Sequence, residues 1–440
     1  MNQRHTRAIR LVGLLAVASM VAAACGSSSP GASNSPNTSS GTNTASAPGI
    51  TPTTITIGSH QPLTGVAAPG YDEIAPASNA FFQYVNSKGG VYGRSIKYNY
   101  LDDGYNPSNT VKVVRKLVQQ DHVFAIFNGL GTPTHTAVEP FLNAEHVPDL
   151  FVASGCLCWD NIAKYPWTSG WQTDYEVEGK IQGQYIKNNF AGKKIGYLYQ
   201  NDDFGQGGVK GLDQQIPASQ VVSRQSYDVT NTNVGPQMSA LQSAGAQVVV
   251  MYTVPAFTAL ALLAANTIGY HPQVVVSSVG IDPTTVGGLL SAISKGATTG
   301  SILNGIVTDG YLPSPTDTTN PWIQLFKKIH DQYIPNLPFD GNVEYGMGAA
   351  YTFVKLMENA GRNPTRQGVI DTLRKGNLAG PGLVPFRYSK TSSAGFIGAQ
   401  MGKITGGNLV LSGPVYTAAD TGPISTYSGG ITPVPASLGG

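Results

Sequence analysis

Across residues 123–159, two short apolar runs each end in an open polar loop, with an amphipathic stretch between them. Residues 123–127 (Val-Phe-Ala-Ile-Phe) are β-branched or aromatic for the most part. The bounding Asn128-Gly129-Leu130-Gly131 predicts that this strand ends in a turn. Thr132 then reads as an N-cap and Pro133 as the first helical residue, with Ala137, Phe141 and Leu142 as the buried stripe. A second strand at 147–152 opens into Ala153-Ser154-Gly155-Cys156-Leu157-Cys158-Trp159-Asp160. Ligands of open parallel sheets bind outside the carboxyl ends of the strands, so both loops are predicted to face one cleft.

The alternation extends in both directions. A strand at 54–59 leads through His60-Gln61-Pro62-Leu63-Thr64-Gly65 to a helix with Ile74, Ala77, Phe81 and Val85 on one face. The turn Gly89-Gly90-Val91-Tyr92-Gly93-Arg94, a strand at 96–101, the exit Asp102-Asp103-Gly104 and a helix capped by Asn106-Pro107 follow. The pattern restarts after 167–171 with a helix at 174–189 and a strand at 194–199 that exits through Asn201-Asp202-Asp203-Phe204-Gly205. Further strands are placed at 221–227, 248–252 and 274–278. A strand at 305–312 crosses back. Helices at 322–333, 344–360 and 365–373 have no strand of their own and cover the first lobe, and short β segments follow at 396–403 and 408–411.

Strands alternating with helices predict an α/β fold of two Rossmann-like lobes with parallel sheets joined by three crossovers. The first lobe takes residues 55–168 and 308–390, and the second takes 169–307 and 391–440 with the tail. Hinges are expected near 167–172, 308–312 and 386–396.

Composition narrows the function. The chain has 440 residues, 41% of them hydrophobic, with 12% charged and a formal net charge of +2. Without a basic run or basic-aromatic interleaving, nucleic acid is not an expected partner. Arg4, Arg7 and Arg10, the apolar run 11–24 and then Cys25 form the pattern of an export signal, too short to span a membrane. With Ala22-Ala23-Ala24 before it and Gly26-Ser27 after it, Cys25 resembles the lipidated cysteine of a bacterial lipoprotein. The other reading is an ordinary signal peptide with Cys25 nearby. Residues 25–54 are mostly Ser, Thr, Asn, Gly, Ala and Pro, which predicts a disordered tether of roughly 30 Å reach.

Several side chains invite a chemical role. Cys156 and Cys158, two apart in an exported chain, could form a disulfide, stay as thiols or supply two ligands of a metal site. Tyr71, Trp159, Trp167, Trp171, Tyr199, Phe204 and Tyr252 fall at loops or crossings expected to face the cleft, where they would hold an apolar ligand or fill the hinge. His60 and His135 stand at strand mouths, either as donors to a carboxylate or as structural residues. No Gly-x-Ser-x-Gly elbow or phosphate-binding loop occurs, and Lys210 replaces the third glycine of a dinucleotide fingerprint beginning Gly205-x-Gly207. Asp102-Asp103 and Asp202-Asp203 read as helix caps or solvated acids rather than paired catalytic acids. The expectation is therefore a protein that is not an enzyme and carries no cofactor.

Ile55-Thr56-Ile57-Gly58 with Pro62-Leu63-Thr64-Gly65, the Gly89–Arg94 turn, Asp102-Asp103, and Asn201-Asp202-Asp203-Phe204-Gly205 resemble the type I periplasmic binding proteins of the leucine/isoleucine/valine-binding class. The similarity runs over residues 55–413. The resemblance implies an extracytoplasmic, membrane-anchored, monomeric solute-binding lipoprotein that serves the permease and ATPase of an ATP-binding-cassette importer and closes on a small molecule by hinge motion. A receptor ectodomain feeding a membrane sensor is the alternative. Carried over position by position, Leu130, Gly131 and Thr132 would meet a carboxylate, joined by Ser154 and by Cys156, which stands where a hydroxyl is usual. Phe204 is compatible with the family's aromatic, Val254 replaces a ligand-facing Tyr, and Val279 falls where the family places the acid that receives an ammonium group. The implied ligand has a polar or anionic head and an apolar or aromatic body, and is not a zwitterionic α-amino acid. The competing expectation is a true branched-chain amino-acid binder in which Asp282 or Glu344 supplies the missing acid.

Overall fold

A computed structural model describes residues 41–297 and 300–438. The expected signal segment, Cys25 and most of the expected tether lie outside the described residues.

The strands are β1 (Thr54–Gln61), β2 (Ser95–Asp102), β3 (Ile126–Phe127), β4 (Asp149–Val152), β5 (Thr168–Gly170), β6 (Ile195–Gln200), β7 (Val221–Tyr227), β8 (Val248–Tyr252), β9 (Gln273–Val276), β10 (Val307–Gly310), β11 (Gly398–Thr405), β12 (Asn408–Ala418) and β13 (Ile424–Tyr427). Among the described residues they form two sheets. The first has the order β2-β1-β3-β4-β5 and is parallel throughout. The second has the order β13-β12-β11-β10-β9-β8-β6-β7, parallel from β7 to β10 and antiparallel beyond it. In both sheets the order reverses at an inner strand, β1 next to β3 and β6 next to β8. Neighbouring exit loops diverge at such a point and leave a crevice at the strand ends.

The alternating pattern becomes core where helices cover the sheets. In the first lobe, Phe82, Tyr98, Phe127 and Phe353 pack edge to face with ring centres 5.4 to 5.8 Å apart. Local chemistry starts the helices: Asn106, Asp202 and Asp340 each accept two backbone N–H groups from the helix that follows.

Three differences from the sequence reading have clear physical causes. The helix expected after Thr132 is two short helices, Thr132–Thr136 and Glu139–Ala144. Pro140 has no N–H to donate and its ring would strike the carbonyl of Thr136, so the helix restarts and the buried face becomes Thr134, His135, Val138 and Leu142 while Ala137 is exposed. The chain expected to remain tether up to residue 54 is already fastened from Asn43 onward. Buried Arg94 donates to the carbonyls of Thr51 (2.6 Å), Thr44 (2.9 Å) and Arg362, and Ile50 is buried. The boundary expected at 307/308 moves to the end of β10, because Val307–Gly310 pairs with both β9 and β11 in the second sheet.

The chain passes between lobes after β5, after β10 and before β11. The three passages meet in an aromatic knot. Phe396 lies 4.1 Å from Phe386, 5.1 Å from Trp171 and 5.6 Å from Tyr311, ring centre to ring centre. The backbone joins them as well: Phe396 N–H donates to Trp171 O (3.1 Å), and Leu383 N–H to Tyr311 O (2.8 Å).

Candidate functional site

The exit loops of both sheets enclose an interlobe cavity of about 180 Å³. A cavity of about 150 Å³ admits benzene, so this one takes a ring-sized body with a short extension.

Of the residues singled out from sequence, Tyr71, Leu130, Gly131, Thr132, Phe204, Val254 and Val279 line this cavity. Gly131 has φ 103°, a conformation that a β-carbon would strain, and this tight turn brings Thr132 to the wall. The Thr132 hydroxyl lies 2.7 Å from that of Ser154. The Gly131 N–H, expected to meet a carboxylate, instead donates to Ala153 O at 3.1 Å, because β3 and β4 continue their pairing into the loops. Tyr175 also lines the cavity, and burial pushes its pKa up to about 12, so its hydroxyl stays neutral.

Ser154 and Cys156 do not line the interlobe cavity. They border a separate, smaller pocket with Trp159, because Gly155 packs against Thr173 O and the Tyr175 ring and turns the loop away. Cys156 and Cys158 are joined by a disulfide. Of the seven aromatics grouped from sequence, only Tyr71 and Phe204 reach the cavity wall. Trp171 belongs to the hinge, and Trp159 packs edge-on against His135 at 5.1 Å. Tyr252 backs Phe204 at 5.8 Å and fills the space over Gly208, where a β-carbon would come within 2.1 Å of its ring.

The two histidines are buried in a line of four side chains. Asp103 Oδ2 is 2.8 Å from His60 Nδ1, His60 Nε2 is 2.9 Å from His135 Nδ1, and His135 Nε2 is 2.8 Å from Asp149 Oδ2. Burial lowers the pKa of His60 against the opposing pull of Asp103. The line ties the exit of β2, the end of β1, the helix Thr132–Thr136 and the start of β4 together, a structural role. Asp102 is structural too: it receives the Leu63 and Thr64 N–H groups and the Thr64 hydroxyl, which joins the exits of β1 and β2.

The position where the resemblance implies an acid is served differently. The serines before Val279 turn inward: Glu178 receives the Ser277 hydroxyl (2.9 Å) and the Ser278 N–H and hydroxyl (2.8 and 2.7 Å). Asp309 sits beside it, held by Gln182 at 2.7 Å, and burial with the adjacent Glu178 carboxylate pushes its pKa well up. Asp309 also lines the cavity, and its Oδ2 has no hydrogen-bond partner.

Sequence reasoning missed Tyr105, Tyr175, Tyr311, Phe339 and Tyr345 of the lining. Tyr105, directly after the Asp102-Asp103-Gly104 exit of β2, was findable as a strand-exit aromatic. The others depend on how the lobes meet.

The lobes touch across the mouth of the cavity. Tyr71 donates from its hydroxyl to Val279 O (2.8 Å), Gly341 N–H to Asp282 Oδ2 (3.1 Å), and Asn342 Nδ2 to Thr285 Oγ1 (3.1 Å). Two lobes, one on a parallel sheet and one on a sheet parallel from β7 to β10, three passages between them and a lined cavity define a two-lobe, cleft-binding protein of the type I periplasmic binding fold. The chain belongs to the periplasmic binding protein family, whose model matches residues 54–399. It is 22% identical over 213 residues to Leu/Ile/Val-binding protein homolog 3 of Brucella melitensis, a match covering 44% of this chain and 53% of the relative. It is 24% identical over 163 residues to an amino acid binding protein of Pseudomonas aeruginosa, covering 35% and 41%. The chain thus spans about half the length of the curated relatives it matches. Among solved structures, a fatty acid ABC transporter substrate-binding protein from Thermomonospora curvata is similar at 22% identity and TM-score 0.72, covering 87% of this chain and 98% of that one. A branched chain amino acid ABC transporter protein from Thermus thermophilus with bound valine is similar at 19% and 0.71, covering 83% and 97%.

Proposed function

We propose that this protein is the solute-binding component of an ATP-binding-cassette importer, held outside the cell membrane by lipid on Cys25. It delivers to the permease and ATPase a small ligand with a polar or anionic head and an apolar or aromatic body. The observation that carries this reading is the interlobe cavity itself, walled from the first lobe by Tyr71, Leu130 and Thr132 and from the second by Phe204, Val254 and Val279. The head meets the hydroxyls of Thr132 and Tyr175, and the body is buried against the apolar wall at about 25 cal/mol per Å². The ligands for which the similar proteins are named, branched-chain amino acids and fatty acids, share this division into head and apolar body.

A thermal-shift screen over small acids, aromatics, amides and amino acids, followed by calorimetry, tests the proposal. Compounds that stabilise the wild type are expected to lose binding in Val254→Trp, which fills the cavity. Hits that bind this variant unchanged would place the ligand elsewhere and defeat the reading.

A further inference from the structure

The wall of the cavity around the start of the helix Gly341–Ala360 carries an excess of carboxyl groups with no base to answer them. Asp282, Asp340 and Glu344 line the cavity, and Glu73, at the start of the helix Ile74–Ser87, stands behind Asp340. Among the described residues that line the cavity there is no Lys, Arg or His. Two of these acids have structural duties. Asp282 caps its own helix through Thr285 N–H and receives Gly341 N–H from the other lobe, and Asp340 caps Gly341–Ala360. Glu344 has no such duty: its side chain is buried, at 2% exposure, and Oε1 has no hydrogen-bond partner.

A buried carboxyl oxygen with no partner has lost its hydration without replacement, so an unemployed Glu at a cavity wall calls for a donor from outside the chain. No three of the described His, Cys, Asp or Glu side chains converge as a metal shell, so the complementary charge is that of an organic cation. The acids come from Glu73, from Asp282 and from the helix Gly341–Ala360, and none is on the loops that hold Thr132.

Resting on the reading that the cavity is the ligand site, we infer that Glu344, with Asp340 and Asp282, forms a subsite for a basic nitrogen carried by the ligand apart from its polar head. The ligand class is thus an amine or amidine with an apolar or aromatic body, its base displaced from the head, unlike the adjacent charges of an α-amino acid. The charge state of the cluster agrees. Burial, and then Asp340, push the Glu73 pKa up to about 9. Burial, and then Asp282, push Asp340 up to about 7, and Glu344 is raised by burial, Asp340 and Asp282. Asp72 adds a further negative neighbour to Glu73. Without a cation the cluster therefore retains protons, and a bound cation would displace them.

The test compares phenethylamine with its neutral isostere 2-phenylethanol by calorimetry at pH 8. The amine is expected to bind at least 10-fold more tightly. Glu344→Gln and Asp340→Asn should each collapse that ratio toward one, and Asn at 340 preserves the helix cap. Titrating wild-type protein with the amine in two buffers of different ionisation enthalpy should show proton release, a readout that does not depend on either variant folding. Equal affinity for the two probes, both abolished by Val254→Trp, would overturn the subsite and leave the cavity assignment standing. Tighter amine binding with no proton release and an unchanged ratio in Glu344→Gln would also overturn it. If neither probe binds at millimolar concentration, the inference fails, and the cavity assignment is judged separately by the response of the screening hits to Val254→Trp.

Discussion

Replacing Tyr71 with Phe isolates the energetics of lobe closure. Tyr71 belongs to the first lobe and its hydroxyl donates to the Val279 carbonyl of the second at 2.8 Å, in a partly buried setting. The substitution removes one oxygen and leaves the ring packing intact, so no cavity term enters. In an open form both groups are hydrated, so the bond contributes only to closing. A typical net hydrogen bond is worth about 0.5 to 1.5 kcal/mol, which converts to a loss of about 2- to 13-fold in the closed-to-open ratio, centred near 5-fold. When ligand binds only the closed form and the open form predominates without ligand, apparent affinity weakens by the same factor. The assay is a distance distribution between labels on the two lobes, read by single-molecule energy transfer, with thermal unfolding as a control. The closed-to-open ratio should fall about 5-fold while the unfolding midpoint stays put, because the bond does not hold either lobe together. Val279→Ala, which retains the carbonyl, should leave the distribution unchanged. An identical distribution in Tyr71→Phe and wild type would refute the reasoning, as would a loss of stability equal to the loss of closure.

Three further outcomes are expected. Phe396→Ala empties the centre of the hinge knot formed with Phe386, Trp171 and Tyr311 and should lower stability by about 3 to 5 kcal/mol in urea unfolding; a loss under 1 kcal/mol would mean the rings only fill space. For Glu73 and Asp340 the folded pKa values, about 9 and about 7, lie above the ordinary 4.5 and 3.8. The folded protein thus binds more protons than the unfolded, and ligand-free stability should fall as pH rises from about 4 to about 9; the slope should flatten in Glu73→Gln, and a slope that steepens would reverse the sign argument. The mature native protein should begin at a lipidated Cys25, seen as intact mass and partition with membranes, and an unmodified start elsewhere in a wholly soluble protein would contradict that proposal.

The sequence by itself determined the order of elements and the class of fold, because strand and helix periods are local. Apolar residues at spacing two or 3.6 must share a face, and Asn106, Asp202 and Pro133 mark helix starts by chemistry within one turn. It also picked out much of the cavity wall, since a parallel sheet puts every strand exit at one end. Leu130, Thr132, Phe204, Val254 and Val279 are strand-exit residues for that reason. Only the tertiary structure decided what those exits meet. The two histidines looked like mouth residues until the line from Asp103 to Asp149 buried them, and the serines ahead of Val279 proved committed to Glu178. The three clustered acids of the cavity wall and Glu73 behind them come from the start of one helix, the N-cap of another and two positions around a third, so no window of sequence holds them together. Their shifted proton affinities arise from burial and mutual repulsion, quantities set by which surfaces come within a few ångströms when the lobes meet, not by neighbours along the chain.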